Sequence, residues 1–483
     1  MLVLAGCASG PDFVPPAAPS SAGYAATPVT PLTASAPATA LGGAQRLDPE
    51  APVDAQWWRG LGSPRLDALV ERASRNSPTL AAARATLAQA RERQAARAGA
   101  HLPQVDAGAS AQRQRPGPGT AGSAGGSPQA FDLYGASVAV SYPLDLAGGN
   151  RRALEALAAR ADYRRYELEA AQLALGGTVA ATAIAQARLA GQVASTRDMV
   201  AAQEEQLGLV EQRSRLGHAA LNEVLAIQAQ LEKTRADLHL LRKEHQHNQH
   251  LLATLVGAEP GEGGLPAFTL DDFVLPAVLP LALPSQLVRQ RPDIRGAEAL
   301  LRAASAEYGV AVAALYPQVT LSASAGSQAL STAALFGSGS AAWALVAQLT
   351  QPLFRPGLAA EKRAALAAFE AAAANYQTVV LEALRGVADV LRSVEQDAHA
   401  LQSQAVANSA AQAALQLARQ RHALGAASYL EVLDATREAQ QSGIALAAAQ
   451  ARRLQDTVSL YVALGGAAPT EAGPSASPGT ASP

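Results

Sequence analysis

The chain has 483 residues, and 49% of them are hydrophobic although only 4% are aromatic and 16% charged. Its apolar content therefore comes mainly from small aliphatic residues, which suit closely packed long helices better than the core of a globular enzyme of about three domains. Thirty-eight basic residues against 40 acidic ones give a net charge of −2, which excludes the basic field that attracts nucleic acid. A single cysteine, Cys7, excludes an intramolecular disulfide and the paired-cysteine zinc and redox motifs. No uninterrupted apolar run reaches about 18 residues, which argues against a transmembrane helix but not against a β-barrel, whose signal is weaker.

Residues Leu4-Ala5-Gly6-Cys7 resemble the lipobox of bacterial lipoproteins, in which the cysteine thiol is acylated and becomes the new N-terminus. On that reading residues 1–6 are the remnant of a signal peptide from a trimmed or late start. Residues 7–52 are then a lipid-anchored extended segment, Pro-, Ala- and Ser-rich as a tether requires. The resemblance implies acyl chains on Cys7 and, because Ala8 rather than Asp follows it, delivery to the outer membrane. The plain alternative is a stray buried cysteine.

The rest of the chain repeats itself. Ser77-Pro78 aligns with Arg291-Pro292, and Pro103-Gln104-Val105 with Pro317-Gln318-Val319. Tyr142-Pro143-Leu144 aligns with Gln351-Pro352-Leu353, and Leu216-Gly217 with Leu424-Gly425. Two copies of one unit are expected, at 53–257 and 285–466, joined by a connector at 258–284 and followed by a disordered tail, 467–483.

Each unit reads as a helix, two strands and a long helical hairpin. In the second copy Leu366, Phe369, Ala373, Tyr376, Val380, Leu384, Val387, Leu391 and Val394 recur at steps of three and four, a heptad seam. Some 65 residues without proline make a rod on the order of 100 Å at about 1.5 Å per residue. Hairpin tips fall near 215–221 and 421–430.

Between the helices the period changes to two. The expected strands are 104–112, 132–142, 318–326 and 343–353. One face of 318–325 is Val319, Leu321, Ala323 and Ala325; the other is Gln318, Thr320, Ser322 and Ser324. An apolar face without charge fits a lipid-facing barrel strand, and Tyr134, Tyr142 and Trp343 suit an aromatic girdle. A soluble sandwich edge is the alternative. Four strands cannot close a membrane barrel alone, so the barrel reading demands oligomerisation.

Several of these residues together resemble the outer membrane factors, the TolC-like and OprM-like efflux channels, in particular the lipoprotein branch named for NodT. They are the lipobox with Gly10-Pro11-Asp12-Phe13, Trp57-Trp58 before Leu66-Asp67-Ala68-Leu69, the Pro-Gln corners, Arg291-Pro292-Asp293-Ile294 and the two hairpins. The fold class this implies is mostly α with a membrane β-barrel. Each protomer of a homotrimer gives four strands to a shared 12-stranded barrel and its helices to a periplasmic coiled-coil tunnel. The implied partners are a periplasmic adaptor, an inner-membrane RND pump and outer membrane lipid. The implied activity is passive efflux of small toxic solutes, with no cofactor and no enzymatic chemistry.

The resemblance also assigns sites. Leu430, Asp434 and Arg437 match the tip constriction of OprM-like channels as hydrophobic plug, acidic ring and ionic partner. The aligned positions in the first hairpin are Asn222, Ala226 and Ala229. By residue chemistry alone, Asp434 and Arg437 are equally an ordinary solvated pair worth about 0.3–0.5 kcal/mol. Leu216, Gly217, Leu424 and Gly425 are the expected adaptor-docking points, and either glycine is also a plain turn residue.

His239, His245, His247 and His250 cluster on one helix but lack a converging second set of metal ligands. Type I protein secretion through a related channel is a rival function. A periplasmic adaptor, or a structural coiled-coil lipoprotein, is the rival from another class; neither accounts for two hairpins together with alternating strands.

Overall fold

The computed structural model describes residues 10–21, 23–115 and 130–466. Cys7, the centre of the loop between the first two barrel-type strands and the tail 467–483 lie outside the described residues. The described residues fall into two compact units: one from within 1–16, 86–165 and 296–377, the other from within 17–85, 166–295 and 378–483.

The first unit contains an antiparallel four-stranded sheet. Its strands are β2 (Gln104–Gln114), β3 (Phe131–Leu144), β5 (Gln318–Ala329) and β6 (Ala341–Thr350), hydrogen-bonded in the order β2-β3-β5-β6. Register aligns like with like. One row runs Val105, Val140, Ala323, Leu345, and the next Ala107, Val138, Ala325, Trp343. The opposite face carries Gln104, Ser141 and Ser322, then Asp106, Ala139 and Ser324. Since residues two apart share a face, the alternation in β2, β3 and β5 continues into β6, which is apolar on both faces over residues 341–347, and makes one continuous apolar surface. Among the described residues it is uncovered: Trp343 is 81% exposed and Leu345 73%.

Three of the strands run further than their periodicity indicated, and β6 differs in the other sense. It ends at Thr350, three residues short of the expected 353, because Gln318 pairs with Thr350 as the last rung. Pro317 and Pro352 flank that rung and supply no N–H to extend it.

The single helix expected at the head of each repeat is two. Helix α1 (Pro64–Asn76) is followed by α2 (Pro78–Gly99), and α5 (Pro284–Gln290) by α6 (Pro292–Ala313). Ser77 and Arg291, each before a proline, take extended ψ values of 121° and 125° and interrupt the helix.

The hairpins are α3 (Gly149–Arg215) with α4 (Leu221–Leu255), and α7 (Pro356–Ala423) with α8 (Tyr429–Ala463). By composition α3 has an 18-residue window apolar enough for a membrane, with mean hydropathy 1.3. Val179, Ala180, Ala183 and Ile184 of the same helix are nevertheless fully buried in protein. The α7 seam is buried at Tyr376, Val380, Val387, Leu391 and Val394 and half-buried at Leu384, whereas Leu366 is exposed.

The second unit holds the main core. Trp57 stacks on Tyr461 at 5.4 Å and meets Trp58 edge-on at 5.9 Å, among Leu61, Leu66, Leu252 and Leu460. Two short strands, β1 (Arg46–Asp48) and β4 (Val278–Pro280), pair in parallel, so the N-terminal segment is joined to the connector. Arg453 of α8 is only 2% exposed. It donates to the carbonyls of Leu41 and Gly43, to Thr33 Oγ1 and to Gln45 Oε1, while Gln45 donates to Thr457 Oγ1 at 3.1 Å. A buried guanidinium is stable only with such partners, and here they come from the N-terminal segment.

Candidate functional site: the hairpin tips

Both hairpins turn in the same way. After α3, Gly217 (φ +77°) donates to the Ser214 carbonyl at 2.9 Å and His218 to that of Arg213 at 2.8 Å. After α7, Gly425 (φ +73°) donates to His422 at 2.9 Å and Ala426 to Arg421 at 2.8 Å. This is the Schellman pattern, in which a left-handed residue, nearly always glycine, satisfies the last carbonyls of a helix. Leu216 and Leu424 stand beside these glycines and are 73% and 83% exposed. The same apolar side chain is thus left in water at each tip.

The two tips then diverge. Helix α4 starts from Ala220, whose side chain caps nothing. Helix α8 starts from Ser428, whose hydroxyl accepts the Glu431 N–H at 3.3 Å while the Ser428 N–H donates to the Glu431 carboxylate. Arg421 reaches across the turn to Glu431 at 3.7 Å and donates to the Ala426 carbonyl at 3.1 Å. His422 lies against the Tyr429 ring at 5.5 Å. The Ser-x-x-Glu signature of a capping box was present in the sequence at Ser428 to Glu431; the brace from Arg421 has no local signature.

Leu430, Asp434 and Arg437 lie together on one side of α8 and line a cleft of about 420 Å³ at the tips of both hairpins. Leu430 is 63% exposed, and Arg437 pairs with Asp434 at 3.4 Å within the same helix. Both charged side chains are about half in water, so the pair contributes a few tenths of a kcal/mol at most. Ala226 of α4, the repeat counterpart of Asp434, lines the same cleft. Tyr429, also in the lining, has its phenol pKa raised by burial and then by the Glu205 carboxylate. The sequence pattern had singled out neither Tyr429 nor Arg419, another lining residue.

The histidine-rich stretch of α4 offers no comparable site. His245 is partly buried, and burial lowers its imidazole pKa. Among the described residues no three or more His, Cys, Asp or Glu side chains gather as metal ligands do.

A strand pair and a helical hairpin, each present twice, with apolar sheet rows and mirrored tips, define a channel subunit of the outer membrane. The chain belongs to the outer membrane efflux protein family, whose pattern matches residues 69–258 and 283–466. It is similar to the pyoverdine export outer membrane protein OpmQ of Pseudomonas putida, 33% identical over 91% of this chain and 94% of the relative. The toluene efflux pump outer membrane protein TtgF of the same species is 30% identical over 96% of this chain and 95% of its own. The solved outer-membrane channel OprN superposes with a TM-score of 0.83 at 29% identity, covering 95% of this chain and 99% of that one. The fold is thus TolC-like, and the protein is an outer membrane efflux component, a passive conduit that needs no cofactor and catalyses no reaction.

Proposed function

We propose that this chain is the exit channel of a tripartite RND-type efflux system and works as a homotrimer. The observation that carries the reading is the four-stranded sheet. Both its outer strands, β2 and β6, are 10 residues or longer and have no partner on their outer edges among the described residues. Long unpaired edges beside an apolar face are untenable in lipid, because every backbone N–H and C=O must be satisfied there. Three copies joined edge to edge give twelve strands and no free edge.

In this reading residues 53–257 and 285–466 are the two repeats and 258–284 the connector. Residues 7–52 are the anchored segment, with acyl chains on Cys7. Three copies of Leu430 and Asp434 converge on the threefold axis as an apolar ring and an acidic ring. Arg437 offsets the acidic charge, which explains how an Asp434–Arg437 pair too weak to stabilise one helix matters when repeated around a pore. Leu216 with Gly217, and Leu424 with Gly425, present exposed apolar knobs at the periplasmic tips for the adaptor. Opening then separates the tips, and the solute delivered by pump and adaptor passes through a water-filled tunnel. Selection among solutes belongs to the pump.

The test is conductance of the purified trimer in planar bilayers. Leu430→Ala with Asp434→Ala is expected to raise the time-averaged conductance several-fold; unchanged conductance removes the gate assignment. Heat-modifiable trimer migration in outer-membrane fractions tests the assembly itself.

A further inference from the structure

We infer that Arg152 is a clamp that fixes the lipid anchor beside the barrel, so that the acylated N-terminus acts as part of the barrel rim and not as a loose tether. The inference rests on the proposed acylation of Cys7 and adds to it a defined docking site for the peptide that follows.

The site is built from the first turns of α3. Arg152 lies three residues into that helix, close behind the strand-to-helix corner that follows β3, and its side chain is only 6% exposed. One guanidinium nitrogen donates to the Gly10 carbonyl at 3.3 Å, to the Pro11 carbonyl at 3.3 Å and to Asp12 Oδ1 at 2.7 Å. The other terminal nitrogen donates to Glu155 at 2.8 Å, which holds the fork in place. One guanidinium nitrogen shared among two consecutive backbone carbonyls and a carboxylate, while Glu155 holds the other, favours one register of the peptide.

A second contact fixes the same peptide from another side. Gly10 has φ +83°, and a Cβ there would lie 2.9 Å from the Gly309 Cα of α6. Only glycine allows that backbone conformation and that approach together. The N-terminal segment is therefore seated on two helices at residues 10–12, and a simple tether needs neither contact.

The consequence concerns distance. Two residues, Ala8 and Ser9, separate Cys7 from Gly10, so three Cα-to-Cα steps span about 11 Å at most. The Cys7 backbone is held within that radius of Gly10, its acyl chains reach only their own linkage further, and α3 and α6 each adjoin a strand there. Holding the lipid at a short fixed reach raises its effective concentration at the barrel rim, which falls roughly as the −3/2 power of tether length. The clamp thereby gives the sheet a membrane contact before its strands have inserted.

The experiment lengthens the tether and leaves both clamp and lipid intact. A ten-residue Gly/Ser spacer is inserted between Ser9 and Gly10, and the acylated chain is diluted from urea into vesicles of phosphatidylethanolamine and phosphatidylglycerol. The readout is the rate at which heat-modifiable trimer appears. The spacer is expected to slow insertion about ninefold by the same scaling, and Arg152→Ala to slow it similarly. Neither change should matter in a Cys7→Ser background, where there is no anchor to position. Insertion of the spacer chain at the unmodified rate overturns the clamp, as does a slowing that persists undiminished with Cys7→Ser. Intact-mass measurement of the starting chain separates the two readings, because absence of acyl mass removes the anchor itself.

Discussion

The two hairpin tips share one backbone and differ in what is built on it. Each has the same glycine-centred turn with an exposed leucine beside it. Only the second adds a capping box at Ser428 and Glu431, the brace from Arg421, and the Leu430, Asp434 and Arg437 stripe. The first presents Ala220, Asn222, Ala226 and Ala229 at the matching places. The two arms share one turn, and only the second carries both the side chains proposed for the gate and the capped, braced first turn that holds them. A constriction needs its residues held in register, and a capped first turn provides that.

The strongest way to break the comparison is to make the second tip resemble the first. Leu430→Asn with Asp434→Ala and Arg437→Ala is expected to leave the trimer constitutively conductive in bilayers, beyond the effect of the two-alanine variant.

Next comes a buried difference further along the same helices. Asp456 of α8 aligns with Asn248 of α4. Burial, and after it the neighbouring Asp397, raises the Asp456 pKa to about 8, against the pull of Arg452 and Arg453. The folded protein therefore binds this proton more tightly than the unfolded chain, so stability falls as pH rises from about 4 towards 8. Asp456→Asn, which makes the second hairpin like the first here, is expected to flatten the dependence of Tm on pH across that window. An unchanged slope would place the titration elsewhere.

Smaller effects test the shared turn and its additions. Gly217→Ala and Gly425→Ala each force a Cβ into a left-handed conformation and are expected to cost about 1–2 kcal/mol locally, alike in both tips. Amide exchange at the two turns measures this. Ser428→Ala is expected to cost about 1 kcal/mol at the second tip, and Ala220→Ser to stabilise the first by a comparable amount. Arg437→Ala alone is expected to change thermal stability by only a few tenths of a kcal/mol.

Much of this was legible in the sequence because it is local or periodic. The seam from Tyr376 to Val394 and the alternation in β5 need only residue spacing. The proline of Arg291-Pro292-Asp293-Ile294 marks a helix start in the sequence alone, and Pro78 at the equivalent place of the first repeat carries the same signal for the break between α1 and α2. What was illegible depends on distant partners. Nothing near Arg46 indicates that it pairs with Val278, and an arginine such as Arg453 on a helix normally marks a solvated face. Its burial follows from four acceptors more than 400 residues earlier in the chain.

That separation has a consequence for how the chain folds. Gln45 finds Thr457 across 412 positions, and Arg453 finds Leu41 across another 412. Contacts of such high sequence separation form late, because the entropy of closing so long a loop must be met first. The part of the core in which the N-terminal segment surrounds Arg453 therefore closes only after almost the whole polypeptide has been made. A nascent chain ending before Arg453 is expected to keep residues 33–43 open to protease, however well its earlier helices have formed.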